Sequence, residues 1–266
     1  MALKRFASLF LALLVFIQMV IPTAAQAVYT VKKLSPEEAF VRSLDRGWIY
    51  SHADYDKGVG IVGQMVGVIE SPPAEVWNMY RRSNDWPAYE VPTLNDCRAL
   101  SEGFIKEYLV KKTKEIKEFY QLMNGRQFDQ EQGRKAGARW DSYSFQSFDI
   151  PWPANDKWFI LKNKNNETRE KEGVFSSEWE LVGGNVKHFA GSVTFEPFEG
   201  DPTRTKMDYK ATVITGNRVP KFLLIWGAQQ VMPRVIKAIR KYLYKTGKGK
   251  ISNSPEESSA LTQPAF

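Results

Sequence analysis

Three stretches decide the fold: KHFAGSVTFEPF at 187–198, RTKMDYKATVI at 204–214 and FLLIWGAQQVMPRVIKAIRKYL at 222–243. In the first two, apolar side chains come at every second position, the period of a strand with one buried face. Glu199-Gly200-Asp201-Pro202 between them is turn chemistry, so the two strands pair antiparallel. The third has the period of a helix. Leu224, Ala228, Val231, Val235, Ala238, Ile239 and Tyr242 form one apolar stripe along it. Such a stripe must be buried, and the sheet made by the preceding strands is the natural surface. Gly216 to Pro220 breaks strand from helix. Pro233 removes one backbone bond inside the helix, which either fits it to a curved sheet or, with Gly227, lets it flex.

Upstream, short polar turns separate further strand candidates at Gly173–Val182, Lys157–Lys164, Arg139–Phe148, Thr93–Leu100 and Val59–Ile69. Ser35-Pro36-Glu37-Glu38 is a capping box that opens a short helix. Gly47–Asp56 reads as an irregular or strand-like approach. Ser71-Pro72-Pro73-Ala74-Glu75 opens a helix carrying Val76, Trp77 and Tyr80, followed by a turn around Trp86-Pro87. Residues 102–138 interrupt the rhythm. Ile105, Tyr108, Leu109, Ile116, Phe119, Tyr120 and Met123 share a helical face, either packed on the outside of the sheet or touching a membrane or ligand; Phe104–Val110 as a strand of a β-hairpin is the competing reading. Residues 124–138 look like a loop. The order predicts an α+β chain: seven antiparallel strands curved around a long C-terminal helix, with an apolar cavity between them.

The first residues read as an export signal. Lys4 and Arg5 precede an apolar run from Phe6 to Ile21, and Ala25-Gln26-Ala27 is a small-x-small cleavage pattern. The run is shorter than the roughly 20 residues of a spanning helix. The expected division is therefore a signal peptide at 1–27, an extension with a short helix at 28–57, the main domain at 58–245 and a disordered tail at 246–266. Export would place the protein in the periplasm or outside the cell.

The chain carries 37 basic and 30 acidic residues, two of the basic ones in the signal. A net charge of +7 at pH 7 is too diffuse for nucleic acid but suits peripheral contact with anionic membranes. The lone cysteine, Cys97, rules out an intramolecular disulfide. Stability must come from a core, and 8 Trp, 11 Tyr and 16 Phe suffice to build one and to line a pocket. His52 and His188 are isolated, no His/Cys/Asp cluster has metal spacing, and glycine-rich phosphate loops are absent, so no metal and no cofactor is expected. Asp141 or Glu178 facing inward would be the candidates for acid–base chemistry.

The strand periods select a candidate ligand surface. Phe175 and Trp179, Phe189 and Phe195, Met207 and Tyr209, with Tyr143 and Phe145, are expected on the concave face; Leu224, Ala228, Val231 and Val235 oppose them from the helix. Tyr143 or Tyr209 would orient a polar head.

Several of these stretches resemble the START-like superfamily of polyketide cyclases, Bet v 1 allergens and lipid-transfer domains. Val68-Ile69-Glu70-Ser71-Pro72-Pro73-Ala74-Glu75-Val76-Trp77 is similar to its first strand and helix start, and Trp86-Pro87-Ala88-Tyr89 to a short helix with Trp. Ile150-Pro151-Trp152-Pro153-Ala154-Asn155 is similar to its Pro-x-Pro turn. There Arg-Asp usually follows; here Asp156-Lys157 stands instead. Thr205 to Ile214 and the final helix are similar to its C-terminal signature. The resemblance implies a helix-grip fold that holds a lipid or other hydrophobic molecule. The alternatives it leaves are a cyclase, dehydratase or hydrolase using the same cavity, and an envelope protein whose core is filled by its own side chains.

Overall fold

The structure is a computed structural model that describes residues 35–56, 60–91, 93–111, 113, 115–149, 156–214 and 221–250. The expected export signal, the Pro-x-Pro turn and the break at 216–220 lie outside these residues. The chain divides into two units, Met1–Ala39 and Phe40–Phe266. Of the first, residues 35–39 are described; there the capping box closes as its sequence predicts. The Ser35 backbone N–H donates to Glu38 Oε2 at 2.8 Å and the Glu38 N–H to Ser35 Oγ at 3.1 Å. They begin helix α1, Pro36–Asp45.

Eight strands form one antiparallel sheet: β1 Tyr50–Asp56, β2 Gly60–Ile69, β3 Leu94–Leu100, β4 Arg139–Phe148, β5 Lys157–Arg169, β6 Val174–Gly184, β7 His188–Phe198 and β8 Asp201–Ile214. Their order across the sheet is β1-β2-β8-β7-β6-β5-β4-β3. The expected count was seven. The additional strand, β1, comes from the segment read as an approach to the domain. It is an edge strand in which only Ala53 is fully buried, so it lacks the apolar alternation that marks a strand in sequence. Its register with β2, Tyr50 opposite Val66 through Asp56 opposite Gly60, supplies the backbone pairing instead.

Helix α2 (Pro73–Tyr80) and a 3-10 turn (Ser83–Tyr89) join β2 to β3; α3 (Glu102–Lys111) and α4 (Ile116–Met123) lie between β3 and β4; α5 (Lys221–Lys245) closes the chain. Helix α5 lies on β1 and β2, and glycines make room for it. A Cβ on Gly63 would sit 2.7 Å from Met232 Sδ, and one on Gly67 2.8 Å from Ile236 Cδ1. Arg240 pins the helix from the other side, donating to the Val68 carbonyl at 2.9 Å and the Gly47 carbonyl at 2.9 Å. Burial lowers its pKa to about 10. Beyond α5 the chain does not leave the fold at once: Ser71 Oγ donates to the Lys248 carbonyl at 2.8 Å and the Lys250 N–H to the Glu70 carbonyl at 2.9 Å. The first five residues of the expected tail are thus tied to the end of β2.

Both faces of the sheet are covered. One core joins β2 and β5–β8 to α2 and α5; a second lies on the opposite face, where α3 and α4 bury Phe104, Ile105, Tyr108 and Phe119 against Phe145, Trp158 and Ile160. The insertion therefore packs on the convex side, as two helices separated near residue 113. Among the described residues no helix is long and apolar enough to cross a membrane.

Candidate functional site

The register fixes which side chains face the concave side. On β8 these are Thr205, Met207, Tyr209, Ala211 and Val213, paired in turn with Pro197, Phe195, Val193, Gly191 and Phe189 of β7. Phe175, Ser177, Trp179 and Leu181 follow on β6, then Phe159, Leu161, Asn163 and Asn165 on β5. Six of the sequence-selected residues, Phe175, Trp179, Phe189, Phe195, Met207 and Tyr209, share this face and one core.

Tyr143 and Phe145 do not. Gln146 is opposite Phe159 and Ser144 opposite Leu161, so the concave residues of β4 are the even ones: Trp140, Ser142, Ser144, Gln146 and Phe148. Tyr143 and Phe145 point into the convex core, where Phe145 stacks on Phe119 at 4.5 Å. The physical reason is that α3 and α4 give the odd set a partner of its own. On α5, Val235 packs against the concave core and Ala228 and Val231 are half-buried; the side chain of Leu224 lies outside the described ones. Asp141 and Glu178 also face outward, Asp141 pairing with Lys162 at 2.7 Å.

Burial along the concave face is graded. On β8, Thr205 and Met207 are 0 % exposed, whereas Tyr209, Ala211 and Val213 are half-buried. On β6, Phe175, Ser177 and Trp179 are buried and Leu181 is not. Burial thus falls from a sealed base toward the end where β4 and β8 stop and β5 and α5 begin.

The base is built by Trp77 of α2, which stacks on Phe175 at 5.8 Å and touches Phe195 and Trp140. Its indole N–H donates to Glu167 Oε1 at 2.6 Å, and Arg134 meets both oxygens of that carboxylate at 3.1 and 3.3 Å. Glu167 is a buried acid on the concave side with both oxygens engaged, so it serves the wall. Asn165 donates to Ser142 at 2.9 Å and Asn163 to Ser144 at 3.1 Å, which satisfies a polar row across β4 and β5.

Among the described residues the indole N–H of Trp179 is a buried interior donor with no hydrogen-bond partner; the rings of Tyr209 and Tyr80 pack against the same core. Trp179 lies over Gly191 with Tyr209 5.0 Å away. Burial raises the pKa of both tyrosines, and the Tyr209 and Cys97 charges push Tyr80 further, so the phenols stay neutral donors. Burial likewise raises the Cys97 thiol. Tyr80 and Trp77 are site residues that the strand pattern could not select. Their i, i+3 spacing on α2 marks a common face, but only packing shows that this face looks into the sheet. No group of acids, histidines and cysteine that could hold a metal occurs among the described residues.

No family model and no curated protein matches the chain. Solved structures do. A STAR-related lipid transfer protein from Xanthomonas axonopodis is 12% identical, with a TM-score of 0.52 over 74% of this chain and 93% of that one. Human StAR-related lipid transfer protein 5 is 11% identical (TM-score 0.49, 76% and 84% covered), and the Zhui aromatase/cyclase from Streptomyces 9% identical (TM-score 0.45, 78% and 100%). The overall likeness to the first of these shows the fold alone: the chain has the START-like, helix-grip fold.

Proposed function

We propose that the protein holds a lipid or similar apolar molecule between the concave sheet and α5, and carries or presents it outside the cytoplasm after export. The observation that carries this reading is the burial gradient on β8, from a base sealed at Thr205 and Met207 to half-buried Tyr209, Ala211 and Val213. An apolar guest there gains about 25 cal/mol for each Å² it removes from water. Trp179, Tyr209 and Tyr80 supply donors for an oxygen on it, since a buried donor without an acceptor costs about 1–3 kcal/mol. The lipid-transfer proteins of the same fold support the ligand class by analogy. The basic balance of the chain suits peripheral contact with anionic bilayers.

Native mass spectrometry of the gently purified protein, followed by denaturing extraction, tests the reading. A co-purifying adduct of lipid mass is expected. A protein that stays at its bare mass and takes up no long-chain probe on titration would sink it. Membrane contact is checked separately: co-sedimentation with anionic vesicles should weaken between low and high salt.

A further inference from the structure

Lys157 is the first residue of β5 and stands opposite Phe148, so its side chain belongs to the concave face. It sits at the end of the interior away from the sealed base, beside the aromatic rim made by Phe148, Phe159 and Phe189, whose successive ring centroids are 5.5 and 4.6 Å apart. The residue is only 6 % exposed. Burial lowers its pKa, offset in part by the neighbouring Asp156 charge.

The inward aim is built in. Asn185, in the turn between β6 and β7, grips the backbone on both sides of Lys157. Its amide donates to the Asp156 carbonyl at 2.9 Å, and its side-chain oxygen accepts the Trp158 N–H at 3.0 Å. The Asn185 N–H adds a bond to the Trp158 carbonyl at 3.0 Å. Trp158 is thereby committed to the convex core, where it packs with Phe119 and Phe145. Alternation along the strand then sends Lys157 to the opposite side.

A lysine this little exposed is uncommon and is rarely kept without a use for its charge. Toward the sealed end, Arg240 is occupied by the Val68 and Gly47 carbonyls and the buried acid Glu167 by Trp77 and Arg134. We propose that Lys157 anchors the anionic head of an amphiphile whose apolar body lies along the rim of Phe148, Phe159 and Phe189 and runs inward toward Tyr209. The proposal rests on the hydrophobic-guest reading and narrows it to molecules with a carboxylate or phosphate at one end.

The test compares hexadecanoate, hexadecyl phosphate and hexadecan-1-ol as probes for the protein expressed from its full sequence, by calorimetric or fluorescence titration. Wild type should bind one or both anions about tenfold more tightly than the alcohol, the scale of a charge-assisted hydrogen bond. K157M should lose that preference while keeping its affinity for the alcohol, and K157R should retain most of it; should K157M not fold, K157Q takes its place. Preference for the carboxylate alone or the phosphate alone names the head. Equal binding of all three probes by wild type, or an unchanged preference in K157M, overturns the anchor and leaves the apolar guest standing. Failure of all three to bind overturns both.

Discussion

The Glu167 carboxylate, 0 % exposed, accepts the Trp77 indole N–H at 2.6 Å and so locks α2 to β5 at the base of the interior. Arg134 completes the pair from the segment after α4, and Arg81 and Glu131 extend it as a second ion pair toward solvent. A surface loop, read in sequence as polar and irregular, thus supplies the countercharge of a buried acid.

Removing that countercharge leaves the acid unpaired. R134M is expected to cost about 3 kcal/mol, the usual penalty for breaking a buried pair. E167Q keeps an acceptor for Trp77 and sheds the charge, so it should cost about 1 kcal/mol. Urea unfolding followed by tryptophan fluorescence measures both. An R134M protein as stable as wild type would mean that water, not Arg134, compensates Glu167.

Two glycines separate the two sides of the sheet. A Cβ on Gly191 would meet the Trp179 ring at 2.5 Å, on the concave side, whereas one on Gly183 would meet the ring of Tyr108, on the convex side. Each alanine variant should lose about 1–3 kcal/mol through overpacking. G191A should in addition weaken uptake of a long-chain probe, because Trp179 must shift into the interior. G183A should destabilise the protein without changing its affinity. Equal effects of both on binding would contradict the assignment of the concave side.

The interior donors predict a graded loss of affinity. Y209F removes one donor and little volume, and W179F one donor together with part of a buried ring, so each should weaken binding of an acceptor-bearing guest about tenfold. Affinity for a pure alkane probe should stay at the wild-type level. Titration of hexadecan-1-ol and an alkane against the two variants decides this.

The phenols carry a pH signature. Tyr80, Tyr89 and Tyr209 have pKa values raised above the ordinary 10.0, burial being the first cause in each. The folded chain therefore holds protons that the unfolded chain releases above pH 10. The stabilisation is complete below that pH and is lost as the solution becomes more alkaline. Absorbance titration should show one group of tyrosines ionising near pH 10 and a second ionising only together with unfolding. A single transition covering all of them at pH 10 would show that these rings are solvated.

Much of the architecture could be read directly from residue order. The capping box at Ser35, the alternation on β6, β7 and β8 and the stripe on α5 are local patterns, and a period of 2 or 3.6 states which residues share a face. It does not state what lies against that face. On β4 the odd residues Tyr143 and Phe145 are more apolar than Ser142 and Ser144, so periodicity alone selects them for the interior. Only the packing of α3 and α4 on the convex side reverses the choice. Strand β1 was legible only as one of two alternatives, irregular or strand-like, because an edge strand is held by backbone bonds to β2, which any sequence makes. The burial of Lys157 and the pairing of Glu167 with Trp77 and Arg134 join residues far apart in the chain. Such contacts leave no periodic trace. The sequence by itself therefore determined the elements and their two-faced character, while the tertiary structure decided which face became the interior, because burial is settled by the partner that covers a surface.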